Sequence, residues 1–333
     1  MNHYFKNNCL YTDFTISNDN VGVIYESADR APSSDESLLL RMYDKEIEQL
    51  KRRVGKDRSL STLKKHESVR KHLQGFILWK TSEKDIPLSE IGEDFFVDFC
   101  AYLMEECHLS QSTAWIYSIP LKHLINTAFS RGIISRNPFV SHHVSPQVKE
   151  RAFLSEQELK VVMETSLKGK LLNLARDLFV FSCWTGLSFI DIKNLERNSL
   201  VEHKGELWIL SRRKKTNKPF QIKVLEPARE ILKKYIKRKY KNGRVFRIGY
   251  SNYLNIKLKE LMKVCGISKN ISFHCARHTF ATMALNNGMS LESVSQILGH
   301  SSIKTTQIYA KITLKKLDKD FSVFNDNVMD AFF

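Results

Sequence analysis

Cysteine pairs and long apolar runs are both missing from this 333-residue sequence. The six cysteines are scattered without a C-x-x-C pair, which argues against a zinc site or a disulfide framework and favours reduced thiols. No run of about 18 apolar residues occurs, so no transmembrane helix is predicted. The first twenty residues are polar and lack the apolar core of a signal peptide. We therefore expect a cytoplasmic, globular protein with no membrane association.

Acidic residues are also few relative to basic ones. The chain has 52 Lys and Arg against 36 Asp and Glu, a formal net charge of +16. Between Lys204 and Arg247 there are sixteen basic residues and only three Glu, interrupted by aromatic side chains. Such a stretch is typical of a surface that faces DNA phosphates, whose neutralisation releases counterions. The alternative is a protein that is merely basic and soluble.

The hydrophobic pattern divides the chain into two folded parts. Apolar residues recur with helical spacing over 37–140, and a second folded part is predicted over 153–316. A polar, proline-containing linker at 141–152 separates them, and residues 1–36 are predicted to be flexible. The expected fold is therefore mainly α-helical.

Four helices are expected in the first part. Ser61 or Thr62 could cap the second, and the fourth, over Ser110–Arg131, contains Pro120, which predicts a kink or a break. Basic side chains of these helices could face phosphates, although a solvated face explains them equally well. The candidates for DNA contacts in this part are Lys64, Lys65 and Arg70.

The second part is predicted to open with a helix whose Ser155 and Glu158 have the spacing of a capping box. Two strands, Leu207–Leu210 and Phe220–Leu225, are expected to flank a turn and form a small antiparallel sheet. Helices fill the rest of this part, the last of them over Ile303–Lys311.

Two segments near the C-terminal end contain the residues best suited to chemistry. The first reads F-H-C-A-R-H-T-F and places His274 and Arg277 three residues apart, on one face of a helix start. An arginine there can grip a phosphate with two parallel hydrogen bonds, and a histidine one turn away can move a proton. The second reads L-G-H-S-S-I-K-T-T-Q-I-Y: Gly299 is expected to end a helix and turn His300 into a cleft, before a short helix with Tyr309. Each element alone is more often structural.

Together, H-x-x-R-H-T-F-A and L-G-H-x-x-x-x-T-x-x-Y in a basic chain resemble the tyrosine recombinase or phage integrase family, over about 150–315 and more weakly over 37–140. The resemblance implies a helical SAM-like core-binding domain followed by a mainly α catalytic domain with a small antiparallel β-sheet. It also implies a site-specific DNA recombinase, an integrase or invertase, in which Tyr309 is the nucleophile and Arg277 clamps the phosphate. His274 and His300 would hydrogen-bond the phosphate or transfer protons.

By the same resemblance, the basic turn Arg213–Lys218 corresponds to the β-hairpin of this family. Lys215 matches the family's hairpin lysine best and would protonate the leaving 5′-oxygen, with Lys214 and Lys218 as alternatives. Arg212, Lys214 and Lys218 are also candidates for contacts with DNA.

The implied reaction needs no cofactor. A tyrosine hydroxyl titrates near ~10 and needs a base or cationic surroundings to attack at neutral pH, and the pentacoordinate phosphate needs fixed cationic donors. The energy of the cut bond is kept in a 3′-phosphotyrosyl linkage, so neither ATP nor a metal is expected. The sequence has no G-x-x-x-x-G-K-[ST] run, which agrees with this expectation.

The sequence departs from the family at one position. The family's first catalytic arginine directly follows T-G-L, but here the run is W-T-G-L-S-F-I-D-I, and Ser188 stands in that place. The variant T-G-L-S-[FY]-x-D resembles integrases of Bacteroidetes-type mobile elements. We expect Arg213, two residues before Lys215 on the same face of a strand, to replace the missing arginine. The alternative is that Arg212 and Arg213 only hold the DNA backbone.

Asp191 and His278 are expected to have structural roles. Asp191 is expected to support the helix that follows Ser188, and His278 is expected to face the core rather than the substrate. Two rival functions remain open: a catalytically degenerate recombinase that only binds DNA, and a type IB-like topoisomerase that needs no defined site.

The resemblance also implies partners. They are double-stranded DNA with inverted-repeat core sites, around which the two domains would close as a C-shaped clamp, and further copies of the chain. A monomer in solution would assemble into a homotetramer on synapsed DNA. Residues 317–333 would form a tail that contacts a neighbouring protomer, or that folds back on its own domain.

Overall fold

The computed structural model describes residues 37–141, 152–214, 217–237, 240, 242–249, 251–300, 302–309, 321–322 and 324–325. The predicted N-terminal segment 1–36, almost all of the linker 141–152 and most of the tail 317–333 lie outside the described residues. The chain divides into two compact units, the first ending at Val148 and the second starting at Lys149. None of the described helices is both long and apolar enough to cross a membrane.

The first unit contains the four helices that the sequence predicts. They are α1 (Leu39–Arg53), α2 (Leu60–Thr81), α3 (Glu93–Glu105) and α4 (Gln111–Ser130). Their shared core is rich in aromatic residues because α2 and α3 both present aromatic side chains at helical spacing. Phe76 of α2 lies with its ring 5.1 Å from the ring of Phe95 and 5.4 Å from that of Phe99. Such edge-on and tilted aromatic pairs add to the stabilisation that burial alone provides.

Two predictions for this unit are corrected. The cap of α2 is Ser59, whose side chain accepts the Thr62 N–H at 3.2 Å, and neither Ser61 nor Thr62 holds that position. The predicted break at Pro120 is absent, since α4 continues through it. Pro120 is buried, and tertiary packing of the helix outweighs the lost backbone hydrogen bond.

The second unit is built around one buried helix. Its helices are α5 (Glu156–Glu164), α6 (Lys170–Thr185), α7 (Phe189–Lys193), α8 (Glu226–Ile236), α9 (Ser251–Val264), α10 (Phe273–Asn286), α11 (Leu291–Leu298) and α12 (Lys304–Gln307). The predicted capping box of α5 is confirmed: Ser155 and Glu158 bond each other's backbone N–H groups at 2.7 and 3.1 Å. Helix α6 is buried on most of its surface and packs against α5, α8, α9 and α10. Its C-terminal end is thereby fixed beside α10.

A three-stranded antiparallel sheet completes this unit. Its strands, in spatial order, are β1 (Leu200–His203), β2 (Glu206–Arg212) and β3 (Pro219–Lys223). Ile209 of β2 pairs with Ile222 of β3, and both are buried, so this face of the sheet belongs to the core. The sequence did not predict β1, because most of its residues are exposed and give no alternating pattern. Mainly α architecture with a small antiparallel sheet is confirmed.

Candidate active site

One wall of the candidate site is the C-terminal end of α6. Gly186 ends the helix with a φ of +65°, and a Cβ at this position would lie 2.7 Å from the ring of Phe280. Only glycine meets both requirements without a shift of its neighbours. The carbonyl of Gly186 accepts a hydrogen bond from Arg277 Nη1 at 3.0 Å, so the tight turn brings backbone directly onto this arginine.

Ser188 follows this turn and begins α7 as its N-cap. Its Oγ accepts the Asp191 N–H at 3.4 Å and donates to Asp191 Oδ2 at 2.7 Å. The predicted role of Asp191 in supporting this helix start is confirmed by these two contacts. A serine hydroxyl caps the helix well but provides no positive charge, so the cation must come from another element.

Arg213 enters the site from the turn between β2 and β3. Its side chain is only 5% exposed. Nη1 donates to Asp191 Oδ2 at 2.9 Å, Nη2 donates to the carbonyl of Ile297, and the guanidinium carbon lies 4.1 Å from the centre of the Phe220 ring. Arg213 is therefore held from three sides beside the start of α7.

The neighbouring Arg212 is exposed and donates to the carbonyl of Asn217 at 3.0 Å. The two arginines thus point in different directions. The strand itself is shorter than the prediction required, because β2 ends at Arg212 and Arg213 already belongs to the turn. Alternation along a strand therefore does not explain the position of the Arg213 side chain. The contact with Asp191 explains it.

Arg277 lies on α10, and its side chain is buried. Besides its bond to Gly186, its Nη2 donates to the carbonyl of Leu298. Burial, with the nearby charge of Arg213, lowers the pKa of Arg277 to about 10. The guanidinium therefore remains charged at neutral pH.

His300 lies just past the end of α11. Gly299 ends that helix with a φ of +68°, as the sequence predicts, and a Cβ there would lie 3.0 Å from Nε of Arg213. His300 Nδ1 lies 2.7 Å from Thr306 Oγ1, which orients the ring. Burial, then the charges of Arg277 and Arg213, lower the pKa of His300 to about 4. Its imidazole is therefore neutral at physiological pH.

Tyr309 lies among histidine rings. The ring of His278 is 4.9 Å from that of Tyr309, and the ring of His300 is 6.3 Å away and nearly parallel. His278 is 2% exposed, which confirms that it faces the core, but it also contacts the ring of Tyr309. His274 is exposed at the start of α10, with its ring 4.6 Å from that of His278. The structure thus gathers His274, Arg277, His300 and Tyr309 in one place.

The hairpin turn is only partly described. Lys215 and Thr216 lie outside the described residues, so the structure does not test the placement of Lys215. Lys214 and Lys218 are exposed on either side of the gap. Lys218 lines an open cleft of about 430 Å³ that is also lined by Gly299 and His300, so the turn borders the site. Among the described residues no group of His, Cys, Asp or Glu side chains could hold a metal ion.

The DNA candidates of the first unit lie on α2. Lys64 is exposed and Lys65 is partly exposed. Arg70 is bound to Asp44, with Nε–Oδ1 at 2.8 Å and Nη2–Oδ2 at 2.9 Å. This bidentate pair ties α2 to α1 and leaves Arg70 less available to phosphate than the two lysines.

Sequence reasoning did not predict which groups hold Arg213. Asp191, Phe220 and the carbonyl of Ile297 all contact its guanidinium. The S-x-x-D spacing from Ser188 to Asp191 signals a helix cap, but nothing in the spacing signals an arginine from a distant turn. The contact depends on how the turn packs against α7.

Both parts of the chain match family models. The model of the phage integrase family matches residues 152–316, and that of the phage integrase SAM-like domain matches residues 38–144. Among curated proteins, the tyrosine recombinase XerD of Listeria monocytogenes serovar 1/2a is 26% identical over 283 residues, 80% of this chain and 93% of that recombinase. The tyrosine recombinase XerA of Saccharolobus solfataricus is 41% identical over 91 residues, 27% of this chain and 30% of that protein.

Solved structures share the fold. The Tn1549 transposon integrase in complex with a circular intermediate DNA has a TM-score of 0.67 at 20% identity, over 85% of this chain and 98% of that one. A lambda integrase dimer bound to a COC′ core site has a TM-score of 0.65 at 17% identity, over 82% and 95% of the two chains. Both the helical SAM-like unit and the catalytic unit thus match their counterparts in known proteins. The chain belongs to the phage integrase family of tyrosine recombinases.

Proposed function

We propose that this site-specific recombinase cuts and rejoins DNA by attack of the Tyr309 hydroxyl on the scissile phosphate, which forms a 3′-phosphotyrosyl intermediate. The observation that supports this most is the grouping of Tyr309 with two buried arginines. Tyr309 lies near enough to Arg277 to raise the pKa of that arginine, and Arg213 lies near enough to lower it. A phosphate placed at Tyr309 would meet both positive charges.

In this proposal the arginines and the histidines have different roles at the phosphate. Arg213 and Arg277 stabilise the charge of the pentacoordinate phosphate, because fixed donors cost no reorganisation during the reaction. His300 is neutral, so it hydrogen-bonds a phosphate oxygen rather than adding charge. His274, exposed beside His278, serves as the second hydrogen-bonding or proton-transfer group.

The leaving 5′-oxygen needs a proton, and we assign it to Lys215. Its neighbours in the turn are exposed at the border of the cleft with His300, where a DNA strand would lie. Arg212, Lys214 and Lys218 are proposed to hold the DNA backbone around this turn, and Lys64 and Lys65 to do so from the helical unit. No metal, ATP or other cofactor takes part in this scheme.

Two solved structures of the same fold contain DNA: the Tn1549 transposon integrase is in complex with a circular intermediate DNA, and the lambda integrase dimer is bound to a COC′ core site. We infer further that the chain binds double-stranded DNA with inverted-repeat core sites in the cytoplasm and acts there as an integrase or invertase. In this proposal residues 37–140 bind the core site, residues 153–316 catalyse, and 141–152 link them.

We also propose that the chain is a monomer in solution and assembles into a homotetramer on paired sites. The proposal rests on the chemical complementarity between an apolar groove and the C-terminal tail. An apolar groove of about 600 Å³ lies between α5, α6 and α10 and includes Trp184, Phe280 and Met283. Phe321 and Phe324 of the tail are both largely exposed and lie three residues apart. A tail of this chemistry fits such a groove on a neighbouring protomer, where burying the two rings would stabilise the complex.

The direct test is covalent trapping on a nicked suicide substrate that contains the protein's own core site. The DNA that flanks the gene is the first place to search for that site. Wild-type protein should form an adduct that survives SDS, and Tyr309→Phe should form none while binding the same DNA. Tyr253→Phe is the matched control, since Tyr253 is an exposed tyrosine of the same unit, and it should form the adduct normally. No adduct from wild type on a verified site would refute the proposed cleavage. Relaxation of plasmid without the site would favour a topoisomerase instead.

A further inference from the structure

Asp191 is a buried carboxylate that receives three hydrogen bonds, one from the N-cap of its own helix and two from the turn between β2 and β3. Its Oδ2 accepts from the Ser188 hydroxyl at 2.7 Å and from Arg213 Nη1 at 2.9 Å, and its Oδ1 accepts from the Lys214 N–H at 3.0 Å. Burial alone would raise the pKa of Asp191, but the bonds from Lys214, Ser188 and Arg213 outweigh it and lower the pKa. The carboxylate is therefore ionised at neutral pH.

The contact with Arg213 is far more than a helix cap needs. The Ser188 hydroxyl and the Asp191 N–H already close the cap of α7. The ion pair adds two buried charges, with each side chain only 5% exposed, and such charges are retained in a protein interior only when they are paired and hydrogen-bonded. One oxygen of the Asp191 carboxylate binds both Ser188 and Arg213. The Arg213 guanidinium is therefore separated by only one side chain from position 188, where the family has its arginine.

The remaining contacts fix the orientation of Arg213. The Phe220 ring lies along one face of the guanidinium, the carbonyl of Ile297 receives Nη2, and Gly299 leaves no room for a side chain next to Nε. Nε has no hydrogen-bond partner among the described residues, and Nη1 and Nη2 each keep a second N–H. Asp191 thus engages one N–H of the guanidinium, and the second N–H groups of Nη1 and Nη2 are left for an incoming phosphate.

We infer that Asp191 is a positioning residue for Arg213, and that the Ser188–Asp191 pair holds the relocated arginine where the family's first arginine is missing. This inference rests on the proposed role of Arg213 at the scissile phosphate. Asp191 itself does not touch the DNA: it acts only through the guanidinium. An arginine that is held by a fixed carboxylate loses little freedom when phosphate binds, whereas a shift of about 1 Å in a catalytic group can cost about 10²-fold in rate.

The test is a double-mutant cycle of single-turnover cleavage on the suicide substrate. Asp191→Asn keeps the size of the side chain and should slow cleavage about 10²-fold, with the affinity for the site within about twofold of wild type. In an Arg213→Ala background the same substitution should change the rate by less than about threefold, because its effect passes through the guanidinium. Equal losses in both backgrounds would overturn the inference, and so would cleavage by Asp191→Asn at the wild-type rate.

Asp177→Asn is the matched control. Asp177 is a similarly buried carboxylate of the same unit that is bound to Arg176 and Tyr235 rather than to Arg213. Its replacement should lower stability without slowing cleavage. If Asp191→Asn fails to fold, Ser188→Ala is the variant to use in its place. Loss of the hydroxyl donor to Asp191 should slow cleavage by less than about tenfold, and only when Arg213 is present. An equal effect of Ser188→Ala without Arg213 would overturn the inference. If Arg213→Ala alone cleaves normally, it is the proposed role of Arg213 that fails.

Discussion

Arg213 and Arg277 donate hydrogen bonds to consecutive backbone carbonyls, those of Ile297 and Leu298. These carbonyls are among the last of α11, where no further turn of helix provides N–H donors. The two arginines come from different elements, a hairpin turn and α10, yet they are aligned by one helix end. The negative end of the helix also offsets part of the repulsion between two adjacent cations.

Gly299 is predicted to matter for catalysis through Arg213. Gly299→Ala forces a φ of +68° on an alanine and places its Cβ 3.0 Å from Arg213 Nε. We expect a loss of stability of about 1 kcal/mol from the backbone and, in addition, at least about tenfold slower cleavage from displacement of the arginine. Thermal unfolding and single-turnover cleavage measure the two effects separately.

Gly266 offers the control for that prediction. Its φ is +69°, nearly the same, but no atom lies within 4 Å of an added Cβ. Gly266→Ala should therefore cost a similar amount of stability and leave cleavage unchanged. Equal cleavage by the two variants would show that Gly299 has only a backbone role.

The pKa of His300 is predicted to depend on both arginines. Burial, Arg277, Arg213 and His274 together hold it at about 4, so removal of Arg277 should raise it toward the ordinary value of 6.5. NMR titration of labelled histidines in wild type and Arg277→Ala would measure this change. A His300 pKa that is the same in both proteins would contradict the arrangement of charges described here.

The lowered pKa of His300 also makes the free energy of unfolding depend on pH. In the unfolded chain His300 binds a proton below about 6.5, whereas in the folded protein it does so only below about 4. The unfolded state therefore binds more protons between these values, and the contribution of His300 to stability falls as the pH falls from about 6.5 to about 4. His300→Gln should flatten this part of the curve of unfolding free energy against pH.

The basic residues of α2 are predicted to differ in their effect on DNA binding. Lys64→Ala should weaken binding to all sequences and reduce the salt dependence by about one unit of slope, as expected for one lost phosphate contact. Arg70→Ala should change the salt dependence less and destabilise the unit more, since Arg70 is bound to Asp44. Salt titrations of site affinity would distinguish the two variants, and equal slopes would contradict this assignment.

Local patterns predicted the parts of the fold that depend on neighbouring residues. The capping box of Ser155 and Glu158, the helix end at Gly299 and the inward position of His278 could all be predicted from the local sequence. Features that depend on packing could not. The continuity of α4 through Pro120 is set by the core of the first unit, and β1 is paired to β2 although its own residues are mostly exposed.

The candidate site shows the same division. Arg277 and His300 could be predicted because they belong to compact motifs, and Arg213 could be proposed because a cation was missing at Ser188. The reason that Arg213 reaches the site could not be predicted: Asp191 lies 22 residues earlier in the chain and on another element. Only the packing of the hairpin turn against α7 brings them together.

We propose that Tyr309 cleaves DNA with Arg213 in place of the arginine that is absent at Ser188. The single-turnover rate of adduct formation tests this role of Arg213, measured for Arg213→Ala and for the double variant Ser188→Arg/Arg213→Ala, each at saturating core-site DNA. We expect a loss of about 10²–10³-fold in Arg213→Ala, with site binding largely intact, and recovery of at least about tenfold when the arginine is returned to position 188. Cleavage by Arg213→Ala at the wild-type rate would contradict it.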